Sequence, residues 1–101
     1  MDIVLLNAAE EFLESLSEAE LAKVLRVIDL LEEFGQNLGM PHSRHMTDGL
    51  LELRVRGKRE VRIFYCFKGK EAVLLHGVIK KRQRTLAGDI SKARKAKGTL
   101  A

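Results

Sequence analysis

Tryptophan is absent, aromatic residues make up 5% of the chain, and there is one proline and one cysteine. The scarcity of rings excludes the broad stacking platforms that seat single-stranded RNA. A single thiol, Cys66, cannot form a disulfide within the chain, and a reducing compartment is its natural setting. Cys66 stands in no nucleophile motif, and its alternating position on an expected strand predicts a packed thiol. Long hydrophobic runs are missing too: Ala72–Leu75, with Val78 and Ile79 beyond, is far too short to cross a bilayer. The opening MDIVLLNAAEEF has no basic residue before its apolar stretch and turns acidic at once, unlike an export signal. These absences predict a cytoplasmic protein with no membrane partner.

Cations are nearly missing from one half of the chain and concentrated in the other. Residues 1–48 hold 3 Lys/Arg against 10 Asp/Glu, whereas residues 49–101 hold 15 against 4. The modest overall charge of +4 therefore hides a strongly cationic region. Its cations recur on several expected elements and not in one tail, which makes them an electrostatic footprint for a polyanion, nucleic acid above all. A chain of 101 residues has room for one core, so residues 1–101 are expected to form a single domain. With 46% apolar and 32% charged residues it has the composition of a globular protein.

Residues Asp2–Leu6 read as an opening strand. Asn7, with Glu10 three residues on, predicts a capped helix carrying Phe12, Leu13 and Leu16 on its apolar side. Ser17 begins a second capping box with Glu20, after which Leu21, Val24, Leu25, Ile28, Leu31 and Phe34 recur at helical spacing. Gly35 and Asn37 are stop residues, and Gln36–Asp48, containing Gly39 and Pro41, predicts a loop. The period then changes to two. Leu51, Leu53 and Val55 alternate with Glu52, Arg54 and Arg56; beyond a Gly57-Lys58 turn, Val61, Ile63, Tyr65 and Phe67 alternate with Glu60, Arg62, Phe64 and Cys66. After a turn at Lys68-Gly69-Lys70, the nearly continuous apolar Ala72–Ile79 predicts a central strand covered on both faces. Thr85 can cap a last helix with Leu86, Ile90 and Ala93 inward and Lys92, Arg94, Lys95 and Lys97 in water. The expected class is α+β, in the order β-α-α-β-β-β-α: a small antiparallel meander with an N-terminal strand, a helical hairpin on one face and a C-terminal helix.

LLEEFGQNLGMPHSRHMTDGLLELRVRG and VRIFYCFKGKEAVLLHGVIKKRQRT resemble the RelE/ParE superfamily of type II toxins, most closely its phage-derived, HigB-like branch. The E-L-R strand, the V-R-I-F-Y strand and the L-L-H-G-V-I-K-K strand end carry the likeness together, at these separations. The resemblance implies a RelE-like fold whose sheet cups an RNA-binding face. It also implies ribosome-dependent cleavage of messenger RNA without a cofactor or metal, and neutralisation by a cognate helix-turn-helix, HigA-like antitoxin. Partners would thus be the antitoxin, the ribosome and mRNA.

That chemistry suits the residues. RNA is cut when its 2′-hydroxyl attacks the adjacent phosphate, and the enzyme must align the attack, move protons and stabilise the added negative charge. Arg62 takes the position of the family's strand arginine, and its planar, permanently charged fork matches phosphate oxygens. Lys80 and Lys81 occupy the strand end, and alternation points them to opposite faces. His45 lies in the expected loop, where some HigB-like relatives place a catalytic histidine, and its ring can exchange a proton near neutrality. The catalytic candidates are thus Arg62, Lys80, Lys81 and His45. Arg54, Arg56, Arg82 and Arg84 are candidates to track the RNA backbone through salt-sensitive contacts. His42 and His45 have H-x-x-H spacing but no neighbouring carboxylate or thiol to complete a zinc set. His76, within the apolar strand, is expected to be a hydrogen-bonded core residue. Studied members place a Tyr or His after the central strand, where this chain reads T-L-A-G-D, and a Lys where it has Glu52. A non-enzymatic, ParE-like inhibitor of DNA gyrase, or an inactive relative that only binds antitoxin or RNA, is the alternative.

Overall fold

A period of two through the second half builds one sheet, and helical periods on either side of it supply its covers. The computed structural model describes residues 1–80 and 87–100. Its elements in chain order are β1 (Asp2–Leu5), α1 (Asn7–Glu14), α2 (Glu18–Phe34), a 3-10 turn (Gly35–Asn37), β2 (Ser43–Thr47), β3 (Leu50–Val55), β4 (Glu60–Lys68), β5 (Glu71–Lys80) and α3 (Ala87–Gly98). The five strands form a sheet in the order β1-β5-β4-β3-β2. β2 to β5 are an antiparallel meander, and β1 adds to β5 in parallel. This is the expected α+β class with one strand more than the sequence predicts.

The extra strand is β2, inside the segment expected to be a loop. Its inward position is occupied by Ser43, buried and hydrogen-bonded through its hydroxyl to the Tyr65 hydroxyl. A polar residue in an apolar slot removes the alternation that announces a strand, and a tertiary hydrogen bond replaces it. α1 also differs at its start: Leu6 is the N-cap and Asn7 lies one residue inside, so the Asn7–Glu10 capping box does not form. Leu6 is fixed by the sheet, its N–H donating to the Leu74 carbonyl at 3.0 Å while its own carbonyl accepts from Glu10 N–H at 3.0 Å. The Ser17–Glu20 box forms as expected, and α2 ends at Gly35, whose φ of 55° a side chain would strain. Leu25 and Phe34, expected inward, are exposed on α2, where Val24, Val27, Ile28 and Leu31 face the core.

The sheet is covered on both sides. α1 and α2 pack on the odd-numbered side of β4, where Val61, Ile63 and Tyr65 meet Leu13, Val24 and Leu31. Phe12 lies so close over Gly77 that any Cβ there would collide with its ring. α3 covers part of the other side through Ala93, with half-buried Ile90 and Ala96, against Phe64, Cys66 and Leu75. Cys66 is a buried thiol, as expected, and burial pushes its pKa up. Lys97, expected in water, instead bends to the β2–β3 turn and donates to the Asp48 carbonyl at 2.9 Å. Leu75 is the additional residue of a bulge opposite Phe64 and Tyr65, which re-aims the rest of β5. Thr85 and Leu86 lie outside the described residues. Among the described residues, no helix is long and apolar enough to cross a membrane.

Candidate functional site

Strand register gathers charge where α3 does not reach. Arg44 of β2 stands opposite Glu52 of β3, Arg54 opposite Arg62 of β4, and Glu60 opposite Lys80 of β5. These six side chains share the α3 side of the sheet, since their neighbours Leu51, Leu53, Val61 and Ile63 alternate to the α1–α2 side. Like charges directly opposite each other on neighbouring strands repel, so Arg54 and Arg62 require a counter-charge. Glu52 supplies it. Its Oε1 lies 3.4 Å from Arg44 Nη2, 3.6 Å from Arg62 Nε and 3.9 Å from Arg54 Nε. Glu60 adds a second carboxylate, its Oε2 accepting from Arg62 Nη2 at 3.2 Å. Arg62 Nη1 donates to the Val61 carbonyl at 3.3 Å.

Exposure sorts the cluster into a buried centre and an accessible rim. Side-chain exposure is 0% for Glu52 and 1% for Arg62, against 15% for Arg54 and 46% for Arg44. Burial pushes the Arg62 pKa down, Glu52 and Glu60 oppose that shift, and the Arg54 and Arg44 charges add to it. An arginine has so high an ordinary pKa that the guanidinium stays protonated regardless. Arg62 is thus a buried strut and not the exposed strand residue that alternation predicts. Among the described residues of this cluster, four cations, with Lys80, face two carboxylates, so the cluster keeps a positive excess. Arg54 Nη1 and Arg44 Nη2 each rest against a methionine sulfur, of Met40 and Met46 respectively, which holds the rim side chains over the sheet.

Of the remaining candidates, those among the described residues do not join this cluster. His45 stands opposite Leu51, a core residue on the α1–α2 side, and is exposed on the far face of the edge strand. It lies on a strand and not in the expected loop. Arg56, expected to share a face with Arg54, lies just past β3 and lines a groove of about 500 Å³ beside α2. His76 is half-buried, stacks on Phe64 with ring centroids 6.4 Å apart, and faces Asp89 of α3 with Nε2 to Oδ1 3.7 Å. That separation is an ion-pair distance and not the hydrogen bond expected of it. Lys81, Arg82 and Arg84 lie outside the described residues. Three members of the cluster, Arg44, Glu52 and Glu60, are not among the sequence candidates. Arg44 sits on the strand the pattern conceals, and Glu52 is one acid on an alternating strand, distinguished only by the arginines that tertiary pairing brings to it.

The model of one protein family, described as phage-derived protein Gp49-like (DUF891), matches residues 11–97. No curated protein matches the chain at a significant level. The matched span takes in the second half of α1, all of α2, the whole meander with its arginine cluster, and nearly all of α3. The chain therefore belongs to the Gp49-like family of phage-derived proteins, commonly part of toxin–antitoxin systems with a RelE-like toxin.

Proposed function

We propose that this chain is the toxin of a type II toxin–antitoxin pair, of HigB-like type, and an endoribonuclease that cuts translated messenger RNA on the ribosome. The observation that carries the reading is the set of three guanidiniums held around the buried Glu52 carboxylate on one open sheet face. Phosphate recognition wants fixed donors on an accessible positive surface, and this cluster supplies both. Arg54 and Arg44, with Lys80 at the strand end, take the phosphate that flanks the scissile bond.

The 2′-oxygen attacks the adjacent phosphorus, forming the O2′–P bond as the P–O5′ bond breaks. The 2′ proton passes to water and the departing 5′ oxygen gains one from solvent, leaving a 2′,3′-cyclic phosphate and a 5′-hydroxyl. Guanidinium charge stabilises the added negative charge on the phosphoryl oxygens in between. Glu52 and Arg62 are positioning residues in this reading, since both are shut away from a substrate. Their charges offset one another and orient Arg54 toward solvent, which lowers the reorganisation needed when a phosphate arrives. His45, on the opposite side of β2, has no place in the step.

Mapping transcript 5′ ends after induction tests the reading, together with cleavage of a defined message on purified programmed ribosomes. Cuts inside translated messages are expected, and Arg54→Ala is expected to slow cleavage on the order of a hundredfold while the fold persists. Intact messages with SOS-type DNA damage would instead assign the chain to gyrase inhibition. Growth arrest with neither signature would leave it a binding protein.

A further inference from the structure

A second basic surface lies on the other side of the sheet, away from the arginine cluster. The first turn of α2 and the turn between β3 and β4 enclose the groove of about 500 Å³. Val55 and Val61, both nearly fully buried, close its base, exposed Ala19 adds to its apolar wall, and Lys23, Arg56, Lys58 and Arg59 stand around it. Glu20 is the acidic group in the lining, and it is already engaged. Its carboxylate accepts both Arg59 Nε at 2.7 Å and Arg59 Nη2 at 2.8 Å. Lys23, Arg56 and Lys58 are exposed and, among the described residues, form no ion pair. The Lys23 ammonium is carried over Gly57, close enough that a Cβ there would lie 3.1 Å from Nζ. The result is an apolar floor with a cationic rim, the rim's one carboxylate being neutralised within the protein.

We propose that this groove seats an acidic segment of a partner protein, with apolar side chains on the floor and carboxylates against Lys23, Arg56 and Lys58. The occupant follows from the two layers of the surface. Nucleic-acid backbone gains from the cations but leaves the mostly apolar lining of the groove uncovered, because its phosphates make polar contacts. A peptide that alternates acidic and apolar residues covers both, burying apolar area below and pairing charge above. The antitoxin that membership of this family implies is the partner in which such a segment belongs. The two surfaces occupy opposite sides of the β3–β4 hairpin, so a segment seated in the groove leaves Arg44 and Arg54 open. The proposal rests on the groove and the family, and stands or falls separately from the nuclease reading.

The test titrates the isotope-labelled full chain with a synthetic peptide of alternating Glu and Leu. A peptide with Leu replaced by Ser and a short single-stranded oligoribonucleotide are titrated alongside, all followed by backbone amide shifts. The expected result is saturable shifts at Ala19, Lys23, Gly57, Lys58 and Val61 with the Glu–Leu peptide. The Ser peptide is expected to bind at least about tenfold more weakly. The double variant Lys23→Glu, Lys58→Glu changes two exposed residues and is expected to lose about tenfold in affinity while cleaving RNA at the parental rate. Absence of saturable shifts, equal binding of the Ser peptide, or shifts confined to the Arg44–Arg54 face would overturn the proposal. Shifts of these same groove residues with the oligoribonucleotide but not with the peptide would make the groove a nucleic-acid surface and overturn it too.

Discussion

Arg62 contributes through burial. With its side chain 1% exposed and its guanidinium bonded to Glu60 and the Val61 carbonyl, it stands beside the fully buried Glu52, and its removal takes from that carboxylate its most deeply buried counter-charge. Breaking a buried ionic network by deleting one partner typically costs about 3–5 kcal/mol, because the remaining charge keeps its desolvation penalty. Arg62→Ala is therefore expected to lose about 3 kcal/mol of unfolding free energy in a urea titration. Loss below about 1 kcal/mol would show that the network contributes no more than a surface pair does. The consequence for function is practical: an inactive Arg62→Ala protein says nothing of catalysis until its folding is measured. Arg54, partly exposed at the rim, is the position where activity and folding separate.

Helix α2 is joined to the β3–β4 turn by one carboxylate with two tasks. Glu20 accepts the Ser17 N–H at 3.0 Å to close the capping box, and it also binds the Arg59 fork. The Arg59 hydrogen bonds, reinforced by the Ser17 backbone, hold its pKa at about 2, below its ordinary 4.5. A depressed carboxylate pKa means that the unfolded state binds the proton more readily. The pair's stabilisation is thus fully present above pH 4.5 and fades as pH falls toward 2. Both partners are solvent-accessible, so salt weakens the effect. In Arg59→Ala the Glu20 side-chain carboxyl is expected to titrate closer to 4.5, read from its carbon-13 shift against pH. An unchanged midpoint would mean that the helix cap alone sets it. α3 is anchored differently, by small residues over the sheet and by Lys97 and Asp89 at its ends, which explains why a helix with so little apolar periodicity docks at all.

Over the whole molecule, cations of the basic half, joined by Lys23 and Arg44 from the acidic half, form two basic surfaces on opposite sides of one hairpin. In the proposed function, each phosphate that the arginine face neutralises releases condensed counterions from the RNA. With Arg44, Arg54 and Lys80 as the three contacts, the logarithm of RNA affinity is expected to fall with the logarithm of salt with a slope of about −2. A slope near zero, measured by anisotropy over a salt series, would remove phosphate contact from the account. The slope should be lower by about 0.7 in Arg54→Ala and unchanged in Lys23→Glu. These two variants assign the salt dependence to one surface.

Alternation along residues 50–80 and the Ser17–Glu20 box are local patterns, and they specify three meander strands and the long helix without reference to anything distant. Charge segregation and the strand arginines likewise mark the basic half as the one that carries most of the cations of the candidate site. Strand β2 needed Tyr65 to satisfy Ser43 across the sheet, so it could not be read from its own residues. The burial of Arg62, the central place of Glu52 and the separation of His45 and Arg56 from Arg54 were also tertiary decisions. Periodicity assigns a side chain to a face. Only strand register and the reach of α3 decide what that face meets, because exposure belongs to the packed whole and not to the segment.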